Sequence, residues 1–372
     1  MTRKGTYGWL PEVCRIVVGA VFVFSGVAKG IDPWGTALKV QEYLTAFGLE
    51  ALAGWSTALA VAQCVAETAL GGMLLCRVRM KLTALLMLVL MGFFTLLTLV
   101  IAIWNPLDDC GCFGSALKID NWTTFAKNVV LLAATIVVWR TWRREHFFFP
   151  FSVREAALTA LFALCAGALI GYCWRNLPIL DNGLYAAGTD LRRDVLCSSC
   201  MGRSMTLVYE DLQNGGEREF ALTDTTWYDT TRWRYVATRS PYDSLPERAR
   251  KYDFALWRGG YDRADEVVFA DGVTYLMLVR DRTRWRAACR TAMERFAARV
   301  GTEARIVWVF GVEEEQNTLD PAMPEGAFGM DRATMAELLR ADAGVVRLAD
   351  GVVTDKRSCA RLDKWMNHKT RR

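Results

Sequence analysis

Long apolar runs fill the first half of the chain, and shorter, periodic ones fill the second. A helix that crosses a bilayer needs about 20 mostly apolar residues. Residues 10–28, 51–75, 82–104, 122–139 and 156–174 meet that requirement, which predicts five membrane spans. Glu12 and Arg15 stand near the start of the first, where they can reach headgroups, and Glu67 is a lone carboxylate inside the second. Lys127 and Asn128 dilute the first turns of the fourth. Trp104, Trp122, Trp139, Trp142 and Trp174 sit at span ends, as interfacial anchors do. A cleaved signal peptide is the alternative for the first span, but no A-x-A-like site follows it. Between the first two spans, residues 32–50 place Trp34, Ala37, Val40, Leu44 and Phe47 on one helical face, with Lys39, Glu42 and Thr45 off it. That pattern fits a helix on the outer leaflet or a packed helical loop.

After residue 175 the periods shorten. Residues 176–189 read as a linker. Residues 206–209 and 219–222 read as strands joined through the turn Asn214-Gly215-Gly216. An irregular, aromatic-rich stretch runs to about residue 265. Beyond it the pattern predicts strand 274–279, helix 283–300, strand 304–310, helix 332–341, and strands 345–348 and 352–354 around Ala349-Asp350-Gly351. Helix 283–300 would bury Trp285, Ala288, Ala292, Phe296 and Val300. The fold class is therefore a membrane α-helical bundle followed by a soluble α/β domain with the element order of a thioredoxin-like fold. Residues 1–150 form the four-span part, 151–175 the fifth transmembrane helix, and 176–372 the outer domain, thioredoxin-like from about 265.

Composition sharpens this division. The average, 52% hydrophobic over 372 residues, is ordinary, but the charges are uneven. Residues 1–175 carry 15 Lys/Arg and 10 Asp/Glu, and the remainder carries 30 of each. The surplus positive charge lies in the membrane half, and no basic patch stands out in the other. This argues against nucleic acid as the main partner and leaves the lipid bilayer as the first one. The short links give an orientation. Arg3 and Lys4, then Arg77, Arg79 and Lys81, then Arg140, Arg143, Arg144 and Arg154 mark one side. Link 105–121, with Asp108, Asp109 and Asp120 against Lys118, marks the other. By the positive-inside rule the amino terminus is cytoplasmic, and the loop at Cys110 and everything after Trp174 lie outside. In a bacterium this means an inner-membrane protein with a periplasmic C-terminal domain.

The chemistry rests on cysteine. Of 11 cysteines, Cys14, Cys64, Cys76, Cys165 and Cys173 lie in or at the ends of spans and read as small hydrophobes. Cys110 and Cys112 form a Cys-Gly-Cys pair on the outer side. Their bond would close a very small ring that Gly111 lets the backbone make, and such a ring staples little. Redox exchange, a passive disulfide or turn, a two-thiolate metal site and inert thiols all fit the pair, with redox exchange favoured. Asp108 and Asp109 count against it, since negative charge raises a thiol pKa. Cys197 and Cys200 have dithiol spacing near Arg192, Arg193 and Arg203, but they precede a strand rather than follow one, and a structural disulfide or metal knuckle fits equally. Cys289 and Cys359 pair only if the fold joins them. Glu67 and Lys29 are candidates for a polar network or cofactor site in the bundle, although their depths along the spans differ. Two histidines leave no His-based metal site, and no Gly-rich phosphate loop is present.

The membrane half resembles the DoxX/MauE-like family. The resemblance rests on Phe24-Ser25-Gly26-x-x-Lys29, Asp32-Pro33-x-Gly35 and Lys39-x-x-Glu42-Tyr43-Leu44. It continues in Glu67-x-x-Leu70-Gly71, Asp109-Cys110-Gly111-Cys112-Phe113-Gly114 and Asn121-Trp122-x-x-Phe125-x-Lys127-Asn128. It covers roughly residues 10–145. It implies a part in maturing a disulfide-rich subunit of methylamine dehydrogenase beside a thioredoxin-like partner, from which the redox suggestion carries over and the substrate does not. The run from Ala343 to Gly351 is similar to the last hairpin of thioredoxin-like domains. Arg280-Asp281-Arg282 stands where a redox thioredoxin has its cysteines, and no proline precedes Val345. The domain, if thioredoxin-like, is degenerate. The favoured function is thiol–disulfide exchange with a periplasmic thiol protein through Cys110 and Cys112, with Cys197 and Cys200 as a candidate relay. A membrane scaffold and a small-molecule or quinone carrier built around Glu67 are the rivals.

Overall fold

The computed structural model describes residues 8–105, 111, 112, 114, 119–144, 152–245, 249, 250, 252–283, 285–312 and 326–362. The chain divides into two compact units, residues 1–181 and 182–372.

The first unit is a helical bundle. Its helices are α1 (Trp9–Ile31), α2 (Pro33–Ala46), α3 (Ser56–Leu75), α4 (Met80–Trp104), α5 (Asn121–Trp142) and α6 (Val153–Asn176), with a 3-10 turn over Glu50–Trp55 leading into α3. Five of these segments are long and apolar enough to cross a membrane. They coincide with the five predicted spans and extend each by a few residues. The caps are local. Asp32 accepts the Gly35 amide at 2.8 Å with Pro33 in the first turn of α2, and Ser152 and Glu155 form a capping box at α6. The α1–α3 contact is glycine-mediated. A Cβ on Gly71 would fall 2.7 Å from the Val23 amide nitrogen, so the two backbones meet where no side chain intervenes.

One sequence expectation is revised here. Arg15 does not reach outward. It is buried, and its Nη1 donates to the carbonyls of Leu74 (2.8 Å) and Leu75 (2.7 Å), capping the C-terminal end of α3, where unpaired carbonyls favour a cation. Glu12 pairs with Arg15 at 2.9 Å and with Arg77 at 2.8 Å, so these charges cross-link helix ends. The segment 32–50 does form a helix with Trp34 and Ala37 buried, and Trp34 stacks on Trp174 with ring centroids 4.0 Å apart.

The second unit holds two sheets. In the smaller, order β2-β1-β3, β1 (Thr206–Asp211) pairs antiparallel with β2 (Glu217–Ala221) and β3 (Trp233–Arg239). The first pairing is the predicted hairpin. The second lay hidden in the aromatic-rich stretch, because Arg234, Thr238 and Arg239 interrupt any apolar alternation in β3. The larger sheet has the order β10-β9-β6-β7-β8-β4-β5. Its members are β4 (Trp257–Arg258), β5 (Tyr261–Asp262), β6 (Val273–Val279), β7 (Arg305–Val312), β8 (Phe328–Asp331), β9 (Ala343–Ala349) and β10 (Val352–Ser358). β6, β7 and β8 run parallel, while β9 and β10 are antiparallel additions. β6 is buried on both faces from Thr274 onward, which explains its unbroken apolar sequence. Helices α7 (Ala287–Val300) and α8 (Arg332–Leu338) accompany this sheet.

The face of α7 follows the prediction except at one position. Ala292 and Phe296 are buried and Trp285 and Val300 pack against the core, but Ala288 is exposed and Cys289 and Met293 are buried. The helix begins only at Ala287, so the predicted start at 283 is too early. The linker is also shorter than 176–189, since Gly188 donates to the Val353 carbonyl at 2.7 Å and Asp190 bridges to Val352 along β10.

Candidate functional site

The polar residues of the bundle gather where α1 and α4 end and α5 begins. In an α-helix the side chains lean toward the N-terminus, so Lys29, near the last turn of α1, points back into the bundle. Its Nζ lies 2.6 and 2.8 Å from the two carboxylate oxygens of Glu67 on α3, and both side chains are almost fully buried. The difference in depth along the spans, which made a direct pair uncertain from sequence, is bridged by the length and tilt of the lysine. Nζ also donates to Ser25 Oγ at 3.1 Å, one turn back on α1, so all three ammonium donors are used. Gln63 Nε2 donates to Glu67 Oε1 at 2.9 Å, and Lys29 Nζ stands 5.6 Å from the Phe94 ring centre. Every charge in this apolar setting has a partner, as burial demands.

Ser25 carries the network to the cysteine loop. Its hydroxyl donates to the Cys112 carbonyl at 2.8 Å. The loop there is a turn in which the Gly114 amide donates to the Gly111 carbonyl at 2.9 Å, and both glycines have positive φ (58° and 59°). A Cβ on Gly111 would fall 2.8 Å from Lys39 Cγ, and one on Gly114 would fall 3.3 Å from Lys29 Cα. The two glycines therefore let the loop settle between the end of α1 and the Lys39 side chain. Lys39 in turn pairs with Glu42 at 2.9 Å. The base of the loop is closed by Asn121 Nδ2 donating to Asn105 Oδ1 at 2.8 Å. Cys112 is half-buried. Asp108, Asp109 and Cys110 lie outside the described residues.

In the second unit, Cys197 and Cys200 are bonded to each other, their Cα atoms 5.2 Å apart, and both are fully buried. The Ser198 amide donates to Asp253 Oδ1 at 3.0 Å, and the Ser199 amide to Asp262 Oδ2 at 3.1 Å. Burial pushes the Asp253 carboxyl pKa up, the amide and side-chain bonds from Ser198 pull it down, and the nearby Asp262 charge adds to the rise. Arg203 pairs with Asp265 at 3.2 Å rather than with a thiol. Cys289 and Cys359 are also bonded, across 70 residues, tying α7 to the turn after β10. Sequence reasoning named Lys29, Glu67 and Cys112 but gave Ser25, Gln63 and Asn105 no role. The signals for the first two were present as four-residue spacings, Ser25 to Lys29 and Gln63 to Glu67.

A bundle of apolar spans with a buried ion pair, followed by a disulfide-bonded domain, defines a multi-pass membrane protein with a soluble C-terminal unit. Residues 7–142 match the family model of the methylamine utilisation protein MauE. The membrane half of the chain is thus MauE-like. Comparison with curated proteins and with solved structures finds no match.

Proposed function

We propose that the protein exchanges disulfides with partner proteins at the membrane surface through Cys110 and Cys112. In the direction that oxidises a partner, a partner thiolate attacks one sulfur of the Cys110–Cys112 bond and the other sulfur leaves as a thiolate. A second partner thiolate then resolves the mixed disulfide. Two electrons arrive on the Cys-Gly-Cys pair, and the partner's two thiol protons are released. A two-electron acceptor such as a membrane quinone, taking up two protons, would be needed to restore the disulfide.

The observation that carries this reading is the bond from Ser25 to the Cys112 carbonyl, which ties the loop to a buried ion pair. A passive surface turn has no need of a charged network beneath it. The carrier reading of Glu67 is weakened because its oxygens are held by Lys29 and Gln63.

The alternating link charges support a cytoplasmic amino terminus, and the two disulfides of the second unit support an oxidising compartment, the periplasm of a bacterium. The order β7-β6-β9-β10, with β6 and β7 parallel, supports a thioredoxin-like core. Arg280-Asp281-Arg282 follows β6 in place of cysteines, and the Cys197–Cys200 bond is buried. The second unit accordingly docks the partner while the loop does the chemistry, and the Cys197–Cys200 relay is set aside.

The test is trapping. Full-length Cys110→Ser and Cys112→Ser variants are expressed in the native host, quenched with acid and an alkylating agent, and run on non-reducing gels. One of the two variants accumulates a reductant-sensitive adduct with another protein. Absence of adducts in both would leave a structural turn and no exchange.

A further inference from the structure

Several hydroxyl groups within the spans share a habit that Ser25 does not follow. Thr68, Thr95 and Thr135 each donate to the carbonyl four residues back, at 2.8, 2.7 and 2.7 Å. This back-bond is the default for a hydroxyl in an apolar helix, because it satisfies the group without a second helix. Ser25 has the Val21 carbonyl available in the same place, yet donates across to Cys112.

Donor counting constrains this bond. A lysine ammonium donates only. Once Lys29 Nζ is hydrogen-bonded to Ser25 Oγ, the oxygen is the acceptor, and the one hydroxyl proton must point elsewhere. Glu67 fixes the lysine from the far side with both oxygens. The charged pair thus bars the proton from Lys29 and anchors the oxygen, and the proton goes to the Cys112 carbonyl.

We propose that Ser25 is a positioning residue, a latch that holds the turn at Cys112 against the bundle, and that the Lys29–Glu67 pair keeps the latch closed. If the pair is broken, Lys29 no longer occupies the serine oxygen as a fixed donor. Ser25 then turns to its own helix, and the Cys112 carbonyl is released. The exposure of Cys112 is thereby linked to the integrity of a buried pair one helical turn away. The inference rests on the exchange reading for its biological meaning, but the latch itself is a property of the loop and is tested without any partner.

The experiment uses full-length protein in lipid nanodiscs, in a Cys110→Ser background. The rate of iodoacetamide reaction at Cys112 is followed by mass spectrometry of its peptide. Ser25→Ala raises the rate about fivefold to tenfold, the equivalent of one hydrogen bond. Lys29→Met raises it to a similar degree, and the double variant reacts no faster than either single one, because both act through the same bond. Ser25→Thr, which keeps the hydroxyl, retains the slow rate. Thr135→Ala, which removes a back-bond remote from the loop, changes nothing. Should Lys29→Met fail to fold, the contrast between Ser25→Ala and Ser25→Thr still decides. A rate unchanged in Ser25→Ala, a Cys112 that never reacts, or multiplying effects in the double variant overturns the latch. None of these outcomes touches the trapping experiment, whose failure would remove the exchange function and leave the latch standing.

Discussion

Replacing Cys359 with serine opens the bond that ties α7 to the turn after β10. The loop this bond closes spans 70 residues. In the chain-entropy treatment, a closure of that length restricts the unfolded ensemble by an amount equivalent to about 4 kcal/mol at 25 °C. For a unit of this size each kcal/mol moves the unfolding temperature by about 2–4 °C, so a loss of roughly 8–16 °C is expected. The Cys197–Cys200 bond, with a sequence separation of 3, gives only about 1.5 kcal/mol by the same treatment. The assay is thermal unfolding of the full-length protein in detergent, with and without reductant, for the parent and for Cys359→Ser. The variant should melt early, and in reductant, which opens the Cys197–Cys200 bond of both proteins as well, parent and variant should melt together. A Cys359→Ser protein that melts within 2 °C of the parent would refute the reasoning, since the unit would then owe its stability to packing alone.

Removing one member of the Lys29–Glu67 pair leaves a buried group without its partner, so Lys29→Met or Glu67→Gln should each destabilise the bundle by about 3–5 kcal/mol, read from unfolding in denaturing detergent. The double variant Lys29→Met/Glu67→Leu should recover most of that loss, and equal losses in all three would show that the pair is not a coupled unit. Asp253 has a carboxyl pKa raised above its ordinary value of 3.8 by burial. A raised carboxyl favours the folded state in full only below the unfolded value, and that contribution is lost as pH rises through the folded value. Asp253→Asn keeps an oxygen for the Ser198 amide and sheds the charge. It should therefore raise the unfolding temperature at pH 7, with the gain shrinking as pH falls through the raised folded value and gone below about 4; a gain that is constant with pH, or a loss at pH 7, contradicts the assignment.

The spans were legible because lipid imposes one rule on every residue of a helix, and runs such as the one in α4 satisfy it without reference to anything else. β6, β7, β9 and β10 of the larger sheet were legible for a similar reason, since β6 and β9 are buried on both faces, whereas β4, β5 and β8 are too short to show a pattern. β3 was not, because both of its faces are largely exposed and accept Arg234 and Tyr235 as readily as valine. The site was half legible. Lys29, Glu67 and the cysteines are conspicuous by chemical type, but Ser25 and Gln63 are ordinary residues that acquire a role only from what lies opposite them. The Cys289–Cys359 bond was open for a related reason, since a separation of 70 residues says nothing about proximity until the sheet is assembled. Arg15 misled because an arginine near a span end has two good destinations, the headgroups and a neighbouring helix terminus, and sequence cannot choose between them.

The most direct test of the exchange function is differential alkylation in living cells, with a membrane-impermeant maleimide applied before and after a mild reductant. The account predicts that Cys110 and Cys112 are labelled from outside, in a fraction that rises with the reductant and falls again when it is washed away. Labelling only after the membrane is permeabilised, or a fraction that never responds to the redox conditions, would contradict it.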